Sequence, residues 1–245
     1  MSPFESEEYI LNSEDVDTNK NLTVTALCAY MQNLAGRAAE KRGFGYSFML
    51  KNNFVWVLAR IRGKIRSCPK WNEKVKLLTW VKGIDKLKSD RHFTLYDGNE
   101  NEIAGIITEW SIIDFVRRRP QVIEKYVDSS RALADRSADV EPPSKIPPLA
   151  EPQMAGERKI VYSDIDMNGH VSNVKYVEWF LDTYEYEFLQ GNIIEEFEMN
   201  FLSECRYGES VKIFRQEEGN IHYGSVIRDS DNKEVFRIKL TWRAL

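Results

Sequence analysis

The densest group of reactive side chains in the chain is Asp164-Ile-Asp166-Met-Asn168-Gly-His170-Val-Ser-Asn173, directly ahead of a helical pattern. Two carboxylates, a carboxamide and an imidazole fall within the seven residues 164–170. Such a set suits hydrolysis of an acyl carbonyl, which needs an activated water or a carboxylate nucleophile and a holder for the oxyanion. Asp166 can act as base or nucleophile. Imidazole changes charge near neutral pH, so His170 can hold or donate a proton. Asn168 can orient water or donate to an oxygen. Gly169 lets the backbone turn tightly beside the reacting group. Backbone N–H groups around Val171–Asn173 are ready oxyanion donors, because the first N–H groups of a helix lack intrahelical partners. A second polar site, Glu204-Cys205-Arg206, follows the alternating stretch Phe197–Leu202. Its plain reading is an exposed strand end. A Cys–His–Asn reading is opposed by Glu204, whose charge disfavours a thiolate beside it.

The same polar frame occurs twice. Asp15, Asp17 and Asn19 stand to their helix as Asp164, Asp166 and Asn168 stand to theirs, and Leu22 answers Val171. The copies differ where the chemistry would be. Asn21 takes the place of His170, and Lys20 that of Gly169. Asp, Asn and Ser ahead of a helix are common caps. Capping would be served equally by both copies, so the single histidine favours a chemical role in the second. His92 and His222 lie in strand patterns and read as structural.

Helical stripes follow each copy: Val24, Leu27, Met31, Leu34 and Ala38 in the first, Val174, Val177, Leu181, Tyr184 and Phe188 in the second. Runs of alternating apolar residues then come four to a half, separated by turn signals such as Asp97-Gly98-Asn99 and Glu218-Gly219-Asn220. Consecutive strands with short turns make an antiparallel sheet, and a helix and a half-buried sheet must cover each other. The expected fold is therefore α+β, a tandem hotdog in which each half wraps a sheet on one long helix. The halves are expected at 1–130 and 159–245. Five of the eight prolines fall at 142, 143, 147, 148 and 152, so 131–158 reads as a linker rather than a strand.

Bulk properties narrow the function. Apolar residues make up 42% and charged residues 29% of 245, ordinary for a globular protein. A net charge of −4 argues against nucleic-acid binding, although Arg60, Arg62, Lys64 and Arg66 and the run Arg117–Arg119 form local basic clusters. No apolar run approaches the ~18 residues of a membrane span. The acidic N-terminus lacks the marks of a signal or transit peptide, so a cytoplasmic protein is expected. Cys28, Cys68 and Cys205 show no zinc spacing and read as reduced thiols, with no metal and no cofactor expected.

At these residues the chain resembles the fatty acyl-ACP thioesterases, the plant-type enzymes and their bacterial relatives. The likeness covers roughly residues 5–243. It rests on Ser163–Trp179, on Phe201-Leu-Ser-Glu204-Cys205, and on Asn53–Arg60, Pro69-Lys-Trp71 and Thr79-Trp80-Val81. The resemblance implies hydrolysis of fatty acyl-ACP, with acyl carrier protein as partner and Asp166, Asn168, His170 and Glu204 as the catalytic group. Asp166 would be base or nucleophile, placed by Asn168, while His170 and Glu204 position and polarise water. Cys205 would lie beside the site and be dispensable. The first half would hold the acyl chain, with Met31, Leu34, Trp56, Trp80 and Trp110 as lining. Arg117, Arg118 and Arg119 would dock the acidic carrier. Gly169 and Ser172 depart from the larger or amide-bearing residues of plant members, which bears on chain preference. An acyl-CoA thioesterase of the same fold and a non-catalytic acyl-binding sensor are the alternatives, and a homodimer stays open.

Overall fold

The computed structural model describes residues 3–128, 132–133 and 135–245. The chain forms two compact units, Met1–Pro143 and Ser144–Leu245.

The first unit runs β1 (Glu5–Ile10), α1 (Val24–Lys41), α2 (Tyr46–Lys51), β2 (Phe54–Ile65), β3 (Lys74–Asp85), β4 (Lys88–Tyr96), β5 (Glu102–Asp114) and β6 (Arg119–Gln121). Its strands pair antiparallel in the order β1-β3-β4-β5-β2, with β6 added on β5. Thr23 starts α1 by accepting the Ala26 N–H at 3.1 Å. The stripe Val24, Leu27, Met31, Leu34 and Ala38 is buried along α1. Tyr30 of that helix stacks on Tyr9 of β1 with ring centroids 4.0 Å apart, tying helix to sheet.

The second unit repeats this plan with β7 (Gln153–Lys159), α3 (Asn173–Leu181), α4 (Tyr186–Gly191), β8 (Asn192–Phe201), β9 (Ser210–Glu218), β10 (Ile221–Arg228) and β11 (Lys233–Ala244). Its order, β7-β9-β10-β11-β8, is the same walk through the sheet taken by the equivalent strands. Each unit is thus a hotdog. Phe180 of α3 lies so close over β10 that a Cβ on Gly224 would stand 2.3 Å from its ring, and Tyr176 stacks on Phe236 of β11 at 5.3 Å.

Two expectations need correction. The second stripe is not one long helix. α3 stops at Leu181, where the Thr183 hydroxyl donates to the Phe180 carbonyl at 2.7 Å. Tyr184 instead turns into the core to meet His222, its hydroxyl 2.9 Å from Nδ1. The stretch 131–158 is also not a free linker. Beyond Pro152 the prolines end, and Gln153–Lys159 pairs with β9 as a true strand. Upstream, the Ala138 N–H donates to His92 Nδ1 at 3.0 Å, and Trp80 Nε1 donates to the Arg136 carbonyl at 3.1 Å. Past Pro143 the chain is held by the second sheet instead. The Ile146 N–H donates to Asn200 Oδ1 at 2.9 Å, and Arg237 Nη1 donates to the Ile146 carbonyl at 2.7 Å.

Candidate active site

The loop from Val161 to Ser172 is built on two aspartates. Asp164 is buried; its Oδ2 accepts the Val161 N–H at 2.8 Å and its carbonyl accepts the Ser172 N–H at 2.9 Å. Residues 166–170 then close a tight turn, the Asp166 N–H donating to the His170 carbonyl at 2.8 Å and the Gly169 N–H to the Asp166 carbonyl at 3.0 Å. Gly169 sits at φ +79°, where glycine carries no side-chain penalty. The Asp166 carboxylate braces the turn. Oδ1 accepts the backbone N–H of Asn168 at 2.8 Å and of His170 at 3.3 Å, and Oδ2 accepts Asn168 Nδ2 at 3.3 Å.

Glu204 arrives from the connection after β8. The Val171 N–H donates to the Cys205 carbonyl at 2.9 Å and draws that connection against the loop. His170 Nε2 and Glu204 Oε2 meet directly. Their side chains remain 21% and 37% exposed, with the contacting Glu204 Oε2 itself buried. Asp166 and Asn168 form one side-chain contact and His170 and Glu204 another, the Asp166 carboxylate reaching His170 through its backbone.

One of the expected roles changes. Val171 and Ser172 cannot serve as oxyanion donors, because their N–H groups already bond the Cys205 and Asp164 carbonyls. Asp166 is a structural brace whatever else it does. Cys205 is fully buried and burial pushes its thiol pKa up, which removes the thiolate a Cys–His–Asn reading needs.

The first unit carries the same scaffold without the pair. The Asp17 N–H donates to the Asn21 carbonyl at 2.8 Å, and Asp17 Oδ1 accepts the Asn21 N–H at 2.8 Å. Lys20, in place of Gly169, keeps a left-handed φ of +65°. The Leu22 N–H donates to the Pro69 carbonyl at 2.9 Å, as Val171 does to Cys205. Pro69 therefore matches Cys205, and Cys68 matches Glu204. Asn21, at the histidine position, accepts from Lys70 Nζ at 2.7 Å. Sequence reasoning missed this second correspondence, although its signal was present. Cys68-Pro-Lys70-Trp-Asn-Glu73 echoes Glu204-Cys-Arg206-Tyr-Gly-Glu209, and each glutamate accepts the N–H of the cation three residues before it. The echo is displaced mainly because α1 has 18 residues and α3 has 9, and further because β2 has 12 residues and β8 has 10.

The five residues expected to line an acyl chain lie in different places. Met31 and Leu34 are buried on α1. Trp56 packs in the cluster under α2 and donates to the Phe44 carbonyl at 2.9 Å. Trp80 is sealed against Ile107 and Ala138, and Trp110 bonds Thr108 Oγ1 at 2.8 Å. None of them lines the pocket of about 160 Å³ that opens beside Arg42, Phe44, Ile84 and Tyr126. Arg117, Arg118 and Arg119 are exposed at the β5–β6 tip, with Arg118 over the Phe115 ring at 5.2 Å. Among the described residues no acid, histidine or cysteine cluster could hold a metal, and no helix is long and apolar enough to cross a membrane.

Residues 4–129 match the family model described as the acyl-ACP thioesterase N-terminal domain, and residues 150–244 match its C-terminal domain. The chain is 26% identical over 223 residues to oleoyl-acyl carrier protein thioesterase 1 of Arabidopsis thaliana, a match covering 84% of this chain and 61% of that protein. The second Arabidopsis thaliana oleoyl enzyme is 25% identical, with 97% of this chain and 76% of that protein covered. The crystal structure of an acyl-ACP thioesterase from Bacteroides thetaiotaomicron superposes with a TM-score of 0.91 at 28% identity, covering 98% of each chain. The 12:0-ACP thioesterase of Umbellularia californica shares the fold, with a TM-score of 0.85 at 20% identity, 100% of this chain and 99% of that one being covered. The chain spans about three fifths of the length of the first two curated relatives it matches. With both halves matched in order by the two domains of one family, the chain belongs to the acyl-ACP thioesterase family.

Proposed function

We propose that the protein hydrolyses fatty acyl-ACP to a free fatty acid and the carrier thiol. The observation that carries this reading is the His170–Glu204 contact, installed in one of two otherwise equivalent loops. In the proposed reaction the His170–Glu204 pair takes a proton from water as its oxygen attacks the thioester carbonyl. Asn168 uses one amide hydrogen on Asp166 Oδ2 and has a second for the developing oxyanion. Collapse breaks the C–S bond, and the proton held by the pair passes to the departing sulfur. Asp166 holds the turn and with it the direction of both partners. Release of the acid ends chain growth on the carrier, so the proposed setting is fatty acid synthesis, and the compartment proposed with it is the cytoplasm.

The acidic carrier is proposed to dock on the basic β5–β6 tip at Arg117–Arg119, where Phe115 and Val116 are 50% and 73% exposed. The test is hydrolysis of matched acyl-ACP and acyl-CoA by the parent and by an R117E/R118E/R119E variant. Selective turnover of acyl-ACP, with KM raised about tenfold by charge reversal, supports both proposals. Equal or better turnover of acyl-CoA makes the protein an acyl-CoA thioesterase. Binding of either without hydrolysis makes it an acyl sensor.

A further inference from the structure

We propose that Arg228 is a positioning residue for Glu204; this rests on reading His170 and Glu204 as the reacting pair. Arg228 closes β10 with a side chain only 15% exposed. Asp231, in the turn that follows, holds the guanidinium by two bonds: Nε donates to Oδ1 at 2.9 Å and Nη2 to Oδ2 at 2.6 Å. Bidentate pairing of this kind fixes the plane of the guanidinium as well as its place. The remaining arm, Nη1, donates to the backbone carbonyl of Glu204 at 2.6 Å.

The next carbonyl along, that of Cys205, accepts the Val171 N–H from the catalytic loop. Two consecutive peptide groups are thus tied from different directions, one by a charged strut and one by the loop that carries His170. Glu204 sits at the first of these ties and must keep its carboxylate on His170 from a connection that is not a strand. Losing the strut would free the Glu204 peptide to rotate while leaving every side chain of the proposed machinery in place.

The first unit supplies an internal control. Tyr96 pairs with Lys76 as Ile227 pairs with Lys212, so the counterpart of Arg228 is Asp97. Asp97 caps its own turn by accepting the Asn99 and Asn101 N–H groups at 2.9 Å each. At the position of Arg228 the first unit therefore carries a carboxylate turned to its own loop, and at the position of Glu204 it carries Cys68. The strut occurs in the half that carries a glutamate to aim.

The test is a double-mutant cycle of R228Q with E204Q on the full chain, assayed with acyl-ACP, alongside R228K, D231N and thermal melts. R228Q is expected to lower kcat about 10- to 100-fold with KM changed less than twofold, the scale at which small misplacements of reacting groups act. R228K should lie between R228Q and the parent, since an ammonium cannot reproduce the fork. In the E204Q background the R228Q penalty should vanish. An activity-independent readout is the His170 ring signal followed by NMR across pH. It should move in R228Q toward that of E204Q. Parent-like kcat and ring titration in R228Q, or penalties that multiply in the double variant, would overturn the proposal. If R228Q does not fold, R228K and D231N carry the same cycle. Failure of the underlying reading would look different: E204Q itself would keep parental activity.

Discussion

Replacing Asp166 with alanine removes an acceptor used by two backbone N–H groups and one carboxamide, and replacing Asp17 removes the equivalent carboxylate of the first half, which accepts the Asn21 N–H and Asn21 Nδ2. The duplication therefore separates the structural share of Asp166 from any chemical one. A hydrogen bond to a charged group contributes about 1.5–3 kcal/mol when buried. Both aspartates are half-exposed, so water replaces much of what is lost. The net cost is roughly 1–2 kcal/mol for either substitution, a fall in Tm of about 2–8 °C at this chain length. Activity should divide the two variants. Asp166→Ala should lose about 10²-fold of kcat, the scale at which misplaced reacting groups act, because the turn that aims Asn168 and His170 loosens, and Asp17→Ala less than about threefold. Calorimetry of both variants, with acyl-ACP hydrolysis well below either Tm, gives the comparison. If Asp17→Ala loses as much activity as Asp166→Ala, or Asp166→Ala keeps parental activity, the assignment of chemistry to the second loop is refuted.

Cys205→Ala should keep most of the activity and lose about 1 kcal/mol of stability, and native protein should resist thiol reagents at this position, because the side chain is fully buried. Gly224→Ala should cost about 1–3 kcal/mol through the clash with the Phe180 ring, and Phe180→Leu should recover part of it, read by denaturant midpoints. Stability should fall on acidification through His92. Burial lowers its pKa to about 4, with Lys82 adding to the shift, so between the unfolded value near 6.5 and about 4 the unfolded state binds the extra proton. The contribution is complete above about pH 6.5 and is lost on descending to about pH 4, roughly 3 kcal/mol at most. His92→Gln should flatten that limb in denaturant titrations at pH 7 and pH 4.5.

What was readable in the sequence was local. The Asp-x-Asp-x-Asn frame shows because its turn closes within residues 166–170, and the strands show because alternation repeats every second residue. Glu204 entered through resemblance, since nothing near it in sequence announces that His170 is its neighbour. Neither did any local signal show that Val171 and Ser172 had lost their free N–H groups, because the acceptors are the Cys205 and Asp164 carbonyls. Periodicity carried the second helix through Tyr184, where an aromatic contact with His222 ended it. Composition likewise hid β7, whose residues follow five prolines and are largely exposed.

That strand decides how the molecule could be divided. β7 is the edge of the second sheet, and its partner β9 has β10 on the other side. A C-terminal half cut at residue 159 would keep all four proposed catalytic residues and still be badly made. It would present the outer rim of β9, from Ser210 to Arg215, as an open template for intermolecular pairing and aggregation. It would also strip the Ser144–Ile146 cover from Asn200 and Arg237. A soluble half-molecule should begin at Ser144, inside the stretch that looks most like dispensable tether.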